Sequence, residues 1–395
     1  MSDTFFIPSF LTVFSIPFLF VICRKNIYKS DVSFLLKITG VLFLSAVLSP
    51  GKAYIGQKFI GILQTTVSIT GGVLIFKLLE PLQKEKLKKM LFILVIALII
   101  GSLLEVAGLI KGLSDAFRNA VYTGEYKVYE NELRDIALAG FSRPKLFTSE
   151  PSLLAIGFFV VLNSWLMLDL RRTNFLLAVF ATLCMLYITG SPVLIISLFV
   201  SFIMIFMRIR RTINRIYIIL FCTASLAFVI MLLYLTTDLL SFFLTRWQAS
   251  VRHSGTYNIT SENLRMVFPY LTLIDVMRTS PLFGTGISGK ELLDVYSTLP
   301  ISAEQAFGNN NFAAFFIYLG TIGAVTFIYV FKKYLVRKGV KNLLLLLIII
   351  AGLSQSMGAF ESPRFWGYIF LIIGVNFKAS EESPENLKNE FRAAN

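Results

Sequence analysis

Long apolar stretches alternate with short polar connections along almost the whole chain. An α-helix rises about 1.5 Å per residue, so roughly 20 apolar residues cross a hydrocarbon core about 30 Å thick. The pattern therefore predicts an all-α polytopic membrane protein with about eleven transmembrane helices. The predicted spans lie near residues 4–22, 32–49, 59–79, 90–110, 151–169, 175–189, 192–207, 216–235, 312–331, 342–360 and 365–377.

The connections between these spans differ in charge. Lysine and arginine cluster in alternate connections, at 24–29, 84–89, 171–172, 208–215 and 332–341. Connections rich in these residues remain on the cytoplasmic side of a membrane. We therefore expect the N-terminus outside and the C-terminus inside. The first apolar segment is expected to stay as a membrane helix, because no basic leader precedes it.

Two outward connections, at about 111–150 and 236–311, are too long to be simple turns. Their periodicity predicts short helices through 125–138 and through 263–277, the second ending at Pro281. Residues 1–377 are predicted to form a single transmembrane domain. Residues 378–395 are polar, lack apolar periodicity, and are predicted to be a cytoplasmic tail.

Composition agrees with a membrane location and excludes a nucleic-acid-binding protein. Hydrophobic residues make up 56% of the chain and charged residues 15%, where a soluble domain would carry about 25% charged residues. The net charge of +14 arises from lysines and arginines in the short connections, so it does not indicate a nucleic-acid surface. Cys23, Cys184 and Cys222 lie in or beside apolar segments and are interpreted as core residues.

The first long loop ends with candidate chemistry directly before a span. Pro151 suits the first position of a helix, and Glu150 beside a helix N-terminus is stabilised by the helix dipole. Capping alone could explain Glu150. Arg143 is less easily explained in this way, because a permanently charged guanidinium at membrane level suits a ligand phosphate.

The second long loop is rich in arginine and holds the only histidine of the chain, His253. Its basic residues are Arg246, Arg252, Arg265 and Arg278. They could pair with Asp238, Glu262, Asp275 or lipid head groups, and Arg265 and Arg278 are the strongest candidates for a ligand. Asn309, Asn310 and Asn311 follow at the start of the next span. One asparagine is enough to cap that helix, so the others could bind a sugar hydroxyl.

Three groups of residues follow one another in a characteristic order relative to the predicted spans. They are Arg143 with Glu150-Pro151-Ser152, Arg265 with the later Ser280-Pro281-Leu282-Phe283-Gly284-Thr285-Gly286, and the asparagine run with Leu319-Gly320-Thr321-Ile322-Gly323. In this order the chain resembles the O-antigen polymerase and ligase superfamily, over about its last two thirds.

The resemblance implies a GT-C-like, metal-independent glycosyltransferase without a cofactor. Its donor would be a glycan linked to undecaprenyl diphosphate, and its active site would face the periplasm or cell exterior from the bacterial inner membrane. In the ligase branch a His-Asn pair stands where this chain has Asn309 and Asn310. The missing histidine favours the polymerase branch, and His253 lies too far upstream to replace it.

The resemblance also suggests roles for individual residues. Arg143 and Arg265 would bind the diphosphate and stabilise it as the leaving group. Glu150 would be the base for the acceptor hydroxyl, with Glu361 beside Arg364 as another candidate. The remaining predicted substrate-binding residues are Arg246, Arg278, Asn309 and Asn310.

Two alternative functions stay open: an O-antigen ligase that transfers polysaccharide to lipid A core, and a flippase for lipid-linked oligosaccharide. A flippase would need charges lining a path through the spans, whereas Lys37, Lys77 and Glu105 lie where snorkelling or an interface could accommodate them. Paired broken helices of the transporter type are not visible in the sequence. The expected partners are undecaprenyl-diphosphate-linked glycans and membrane lipids. Whether a chain-length regulator binds is left open.

Overall fold

The computed structural model describes residues 10–50, 55–122, 141–191, 193–209, 268–287, 310–340, 343–357 and 360–380. Within these ranges the chain is helical and contains no strand. The helices are α1 Phe10–Cys23, α2 Lys29–Leu48, α3 Ile55–Leu79, α4 Lys84–Val106, α5 Lys111–Val121, α6 Pro151–Leu168, α7 Arg172–Thr189, α8 Val193–Ile209, α9 Phe268–Thr279, α10 Asn311–Arg337, α11 Leu343–Ser356 and α12 Pro363–Ser380.

The helices match the apolar pattern of the sequence closely. Ten of the eleven predicted spans coincide with α1 to α4, α6 to α8 and α10 to α12, and the span at 216–235 lies outside the described residues. Six helices are long and apolar enough to cross a membrane, namely α2, α3, α4, α6, α7 and α10. The chain is thus a helical membrane protein.

The long loops and the tail depart in part from prediction. The helix predicted through 263–277 is present as α9, which ends two residues before Pro281. The helix predicted through 125–138 lies outside the described residues. Helix α5 was not predicted; it buries Ser114 and Arg118 on one face. Helix α12 continues to Ser380, beyond the predicted start of the tail at residue 378.

Contacts between helix termini define two ends of the bundle. At one, the basic end, Lys77 and Lys338 pair with Asp31, at 3.2 and 2.7 Å, and this contact joins the start of α2 to the ends of α3 and α10. Lys88 in α4 pairs there with Asp169, which follows α6, at 2.5 Å. The opposite end, here the loop end, carries the starts of α3, α6, α10 and α12.

A buried ion cluster holds the basic end together. Asp31 and Lys77 are both 0% exposed. Besides the two lysines, the Asp31 carboxylate accepts hydrogen bonds from the Tyr28 N–H and the Tyr334 hydroxyl, each 2.9 Å long. Lys77 does not snorkel, because its side chain is fully buried and pairs with the carboxylates of Asp31 and Glu80. Lys37 is exposed, as expected for a snorkelling residue.

Helices α3 and α12 pack very closely, and small residues make this possible. A Cβ on Gly72 would lie 2.4 Å from Cδ2 of Phe370 and 2.9 Å from the Trp366 carbonyl oxygen. Apolar burial adds little between helices in lipid, so such close backbone approach supplies much of the packing energy. This contact fixes α12 alongside the second half of α3, which determines the depth at which α12 begins.

Candidate functional site

Helix α10 is broken at Gly320, and the segment 280–287 fills the break. Gly320 has φ +62° and ψ −171°, outside the helical region. Four backbone hydrogen bonds join the two segments: Thr285 N–H to Ile317 O at 2.9 Å, Gly286 N–H to Tyr318 O at 3.0 Å, Thr321 N–H to Pro281 O at 2.9 Å and Ile322 N–H to Leu282 O at 3.0 Å. Non-helical backbone at membrane depth needs such partners, because lipid offers none.

The glycines at this junction are required by space. A Cβ on Gly284, where φ is +63°, would lie 2.2 Å from the Ile317 carbonyl oxygen, and one on Gly320 would lie 2.4 Å from the Gly284 nitrogen. The Ser45 hydroxyl of α2 donates to the Phe283 carbonyl at 3.0 Å. The structure thus brings together the 280–286 and 319–323 segments and gives their glycines a structural role. It also contains one broken helix that the sequence pattern did not reveal.

Lys58, which the sequence pattern did not single out, joins this junction to the start of α3. Its buried ammonium donates to the Ser49 hydroxyl at 2.7 Å and to the Pro50 carbonyl at 2.5 Å, and its stem lies against Gly286. Within the described part of the chain, no carboxylate pairs with it. Lys58 is therefore a buried cation held by neutral oxygen atoms.

The loop that carries Arg143 is fastened by Glu105. One carboxylate oxygen accepts from the Ser114 hydroxyl and from Arg118, both at 2.8 Å. The other accepts from the backbone N–H groups of Lys145 and Leu146, at 3.0 and 2.5 Å. Leu146 has a left-handed φ of +47°, a strained conformation for leucine that these bonds stabilise. Glu105, near the end of α4, is therefore held by protein groups and is buried.

Glu150 stands at the N-cap position of α6, with Pro151 first in the helix, as predicted. Its carboxylate does not cap the backbone of α6, because it accepts from the Ser152 hydroxyl at 2.9 Å instead. Simple capping therefore does not account for its side chain. Arg143 is half-buried in the same loop.

Asn310, one of the two asparagines predicted to bind a sugar, caps helix α10. Asn310 is buried, and its side-chain oxygen accepts from the Ala313 N–H at 3.0 Å. Its amide nitrogen donates to Gln355 at 3.0 Å, and Gln355 in turn donates to the Tyr270 hydroxyl. The capping alternative is confirmed for Asn310, and its side chain ties α10 to α11 and α9.

Glu361 lies deeper in the bundle than a surface turn would place it. The Ser68 hydroxyl donates to the Glu361 carbonyl at 2.5 Å, and Ser68 is 13 residues into α3. That spacing puts Glu361 roughly 20 Å along α3 from its start. Glu361 is 7% exposed, and its buried Oε1 has no hydrogen-bond partner among the described residues. Arg364, half-buried, forms no ion pair with it.

Glu150 and Glu361 occupy the same level of neighbouring helices. Helix α6 packs on α12, and a Cβ on Gly157 would lie 3.3 Å from the Tyr368 hydroxyl. Gly157 and Tyr368 are each about one and a half turns from their helix starts, so the two starts lie at the same end of the packed pair. We call this region, with Glu150, Glu361 and Arg364, the recess.

Other predicted residues do not join the recess in the described part of the chain. Arg278 is exposed in the last turn of α9, which packs on α10. Arg246, Arg265 and Asn309 lie outside the described residues.

The burial and hydrogen bonding of Glu105 and Lys58 could have been inferred from their position in the sequence alone, because ionisable residues beside apolar spans require partners.

Fold and site together define a helical membrane protein with ionisable groups recessed between helix starts. No family model matches the chain, and neither a curated protein nor a solved structure matches it.

Proposed function

We propose that this protein is a polymerase that joins undecaprenyl-diphosphate-linked repeat units into O-antigen or a related surface polysaccharide. It would act as a metal-independent glycosyltransferase in the bacterial inner membrane, with the loop end facing outward. The observation that carries the proposal is Glu361, a carboxylate buried at membrane depth with an oxygen available to a ligand. Ionisable groups in such positions are costly and usually serve function.

The electrostatics of the recess suit a diphosphate. The starts of α6 and α12 lie side by side, and each contributes a partial positive charge from its unpaired N–H groups. Arg364 follows the first residue of α12, and the Arg143 loop leads into α6. Two guanidinium groups and two helix dipoles would stabilise negative charge on a departing undecaprenyl diphosphate, without a metal ion.

The carboxylates would handle the proton of the acceptor sugar. In the proposed step, an acceptor hydroxyl gives its proton to Glu361 while its oxygen bonds to the anomeric carbon of the donor glycan. The bond between that carbon and the phosphate oxygen breaks, and its electron pair leaves with undecaprenyl diphosphate. Glu361 suits this role better than Glu150, because Glu150 already accepts from Ser152.

The proposal is tested by comparing a strain that lacks the gene with the same strain carrying it on a plasmid. Gels of lipopolysaccharide and of lipid-linked glycan are the readout. Core bearing a single repeat in the deletion strain supports a polymerase. Bare core with long polymer on undecaprenyl diphosphate would instead indicate a ligase, and repeats trapped on the cytoplasmic face would indicate a flippase.

A further inference from the structure

A groove runs between α2 and α10 at the basic end, opposite the recess. It encloses about 180 Å³ and is lined on one side by Ser30, Ser33 and Lys37. Tyr329, Lys333 and Arg337 of α10 line the other side. A wider depression of about 610 Å³ beside the start of α2 shares Ser33 and Lys37 with it. The two cavities therefore form one continuous surface around the first turns of α2.

The groove concentrates positive charge that is not neutralised. Lys37, Lys333 and Arg337 have no acidic partner in the described part of the chain, and Lys333 contacts the Tyr329 ring at 5.6 Å from its centre. The nearby Asp31 is fully buried and already binds Lys77 and Lys338. Three like charges around one groove repel each other unless an anion lies between them.

The surface beside these cations is apolar and faces away from the bundle. Leu36 is 69% exposed, Tyr329 60% and Val325 66%, all on the α2 and α10 surfaces next to the groove. Lys37 is eight residues into α2, roughly 12 Å along its axis, so its long stem crosses apolar surface. A ligand that fits this surface has an anionic head and an apolar tail.

We propose that the groove binds an anionic phospholipid. Its phosphate would lie among Lys37, Lys333 and Arg337, with Ser30 and Ser33 as hydrogen-bond donors, and its acyl chains would follow Leu36 and Val325. Basic grooves between membrane helices hold such head groups in this way. The site is separate from the recess at the other end of the bundle, and does not depend on the proposed polymerase activity.

Native mass spectrometry of the full-length protein in detergent tests this site, with cardiolipin, phosphatidylglycerol and phosphatidylcholine as added lipids. The triple variant K37Q/K333Q/R337Q is compared with K86Q/K89Q/K332Q, which removes the same charge from exposed positions outside the groove. We expect the groove variant to bind the anionic lipids roughly tenfold or more weakly. The control variant should bind them like the parent, and phosphatidylcholine binding should not change.

Three results would overturn the proposal. Equal losses in both triple variants would mean a general attraction to basic surface. Unchanged binding in the groove variant would mean that the lipid binds elsewhere. Displacement of the lipid by millimolar inorganic phosphate would mean that a free phosphate is the ligand.

Discussion

Two buried carboxylates at opposite ends of this bundle, Asp31 and Glu361, have opposite surroundings. At the basic end, Asp31 has two lysines and two hydrogen-bond donors around it. In the recess, Glu361 keeps a buried oxygen without a partner among the described residues. A saturated cluster contributes to the fold, whereas an unsaturated carboxylate costs stability and retains capacity for a ligand. The difference sets a carboxylate that stabilises the fold against the one on which the proposed function relies.

Neutralising Asp31 tests the stabilising carboxylate of this comparison, and we expect it to lower stability more than any other variant discussed here. Asp31→Asn keeps the side-chain shape but removes the buried carboxylate that Lys77 and Lys338 share, so that Glu80, 2.8 Å from Lys77, is the acidic partner left in the described cluster. Loss of one partner from a buried pair costs about 3–5 kcal/mol, so we expect strongly reduced yield and a much lower unfolding temperature in detergent. Thermal unfolding followed by circular dichroism measures this.

A matched control is Glu85→Gln, which makes the same charge change at the same end in a residue that is 81% exposed. It should leave the unfolding temperature within about 1 °C or 2 °C of the parent protein. If both variants unfold alike, the ion cluster does not support the fold as argued.

Neutralising Glu361 should reduce activity and leave stability almost unchanged, unlike the neutralisation of Asp31. Glu361→Gln removes a buried carboxylate whose Oε1 has no hydrogen-bond partner among the described residues, so we expect little change in stability. If Glu361 is the base, chain extension should fall about 10²-fold or more. Glu85→Gln, the same charge change in a residue that is 81% exposed, is the control. Normal chain lengths in a folded Glu361→Gln protein would assign the base elsewhere, while the deletion phenotype would still decide whether the protein is a polymerase.

The junction between segment 280–287 and α10 offers a third test, because it is stabilised by backbone rather than charge. In Gly284→Ala the new Cβ would meet the Ile317 carbonyl oxygen, and the residue would keep a positive φ. We expect a loss of about 1–3 kcal/mol in unfolding free energy. Gly40→Ala, where nothing lies within 4 Å of the new Cβ, should be neutral or slightly stabilising. Equal stabilities would mean that the junction rearranges freely.

The sequence predicted the elements far better than the contacts. Apolar runs located ten helices, six of them long and apolar enough to cross a membrane, because length and hydrophobicity determine which segments can enter one. Lys77 pairs with Asp31 of α2, and Glu105 accepts from the backbone of Lys145 and Leu146, so no local pattern could assign these contacts. The depth of Glu361 follows from α12 packing halfway along α3, which is a tertiary fact. Segments 280–286 and 319–323 were each singled out in the sequence, but their backbone pairing with each other was not predicted.

Separating Lys88 from Asp169 should have the smallest effect on stability. The pair is partly exposed, so it can be compared with the fully buried Asp31 cluster at the same end. Burial acts to raise the pKa of Asp169, but the hydrogen bond and charge of Lys88, with the charge of Arg171, outweigh it and hold the pKa below its ordinary value. The folded protein therefore binds this proton less readily than the unfolded chain does. The pair stabilises the fold above pH of about 4, and this contribution disappears as the pH falls through the lowered pKa.

Because both side chains are partly exposed, the pair should be worth under about 1 kcal/mol. Lys88→Gln should unfold slightly more easily than the parent protein at pH 7, and the gap should close as the pH approaches 3. Unfolding temperatures of both proteins across this range, at low and at 1 M salt, measure it. A difference in unfolding temperature that persists at pH 3 would mean that Lys88 stabilises the fold through packing and not through its charge. Among the pairs compared at the basic end, charge pairing would then stabilise the fold only at the fully buried Asp31.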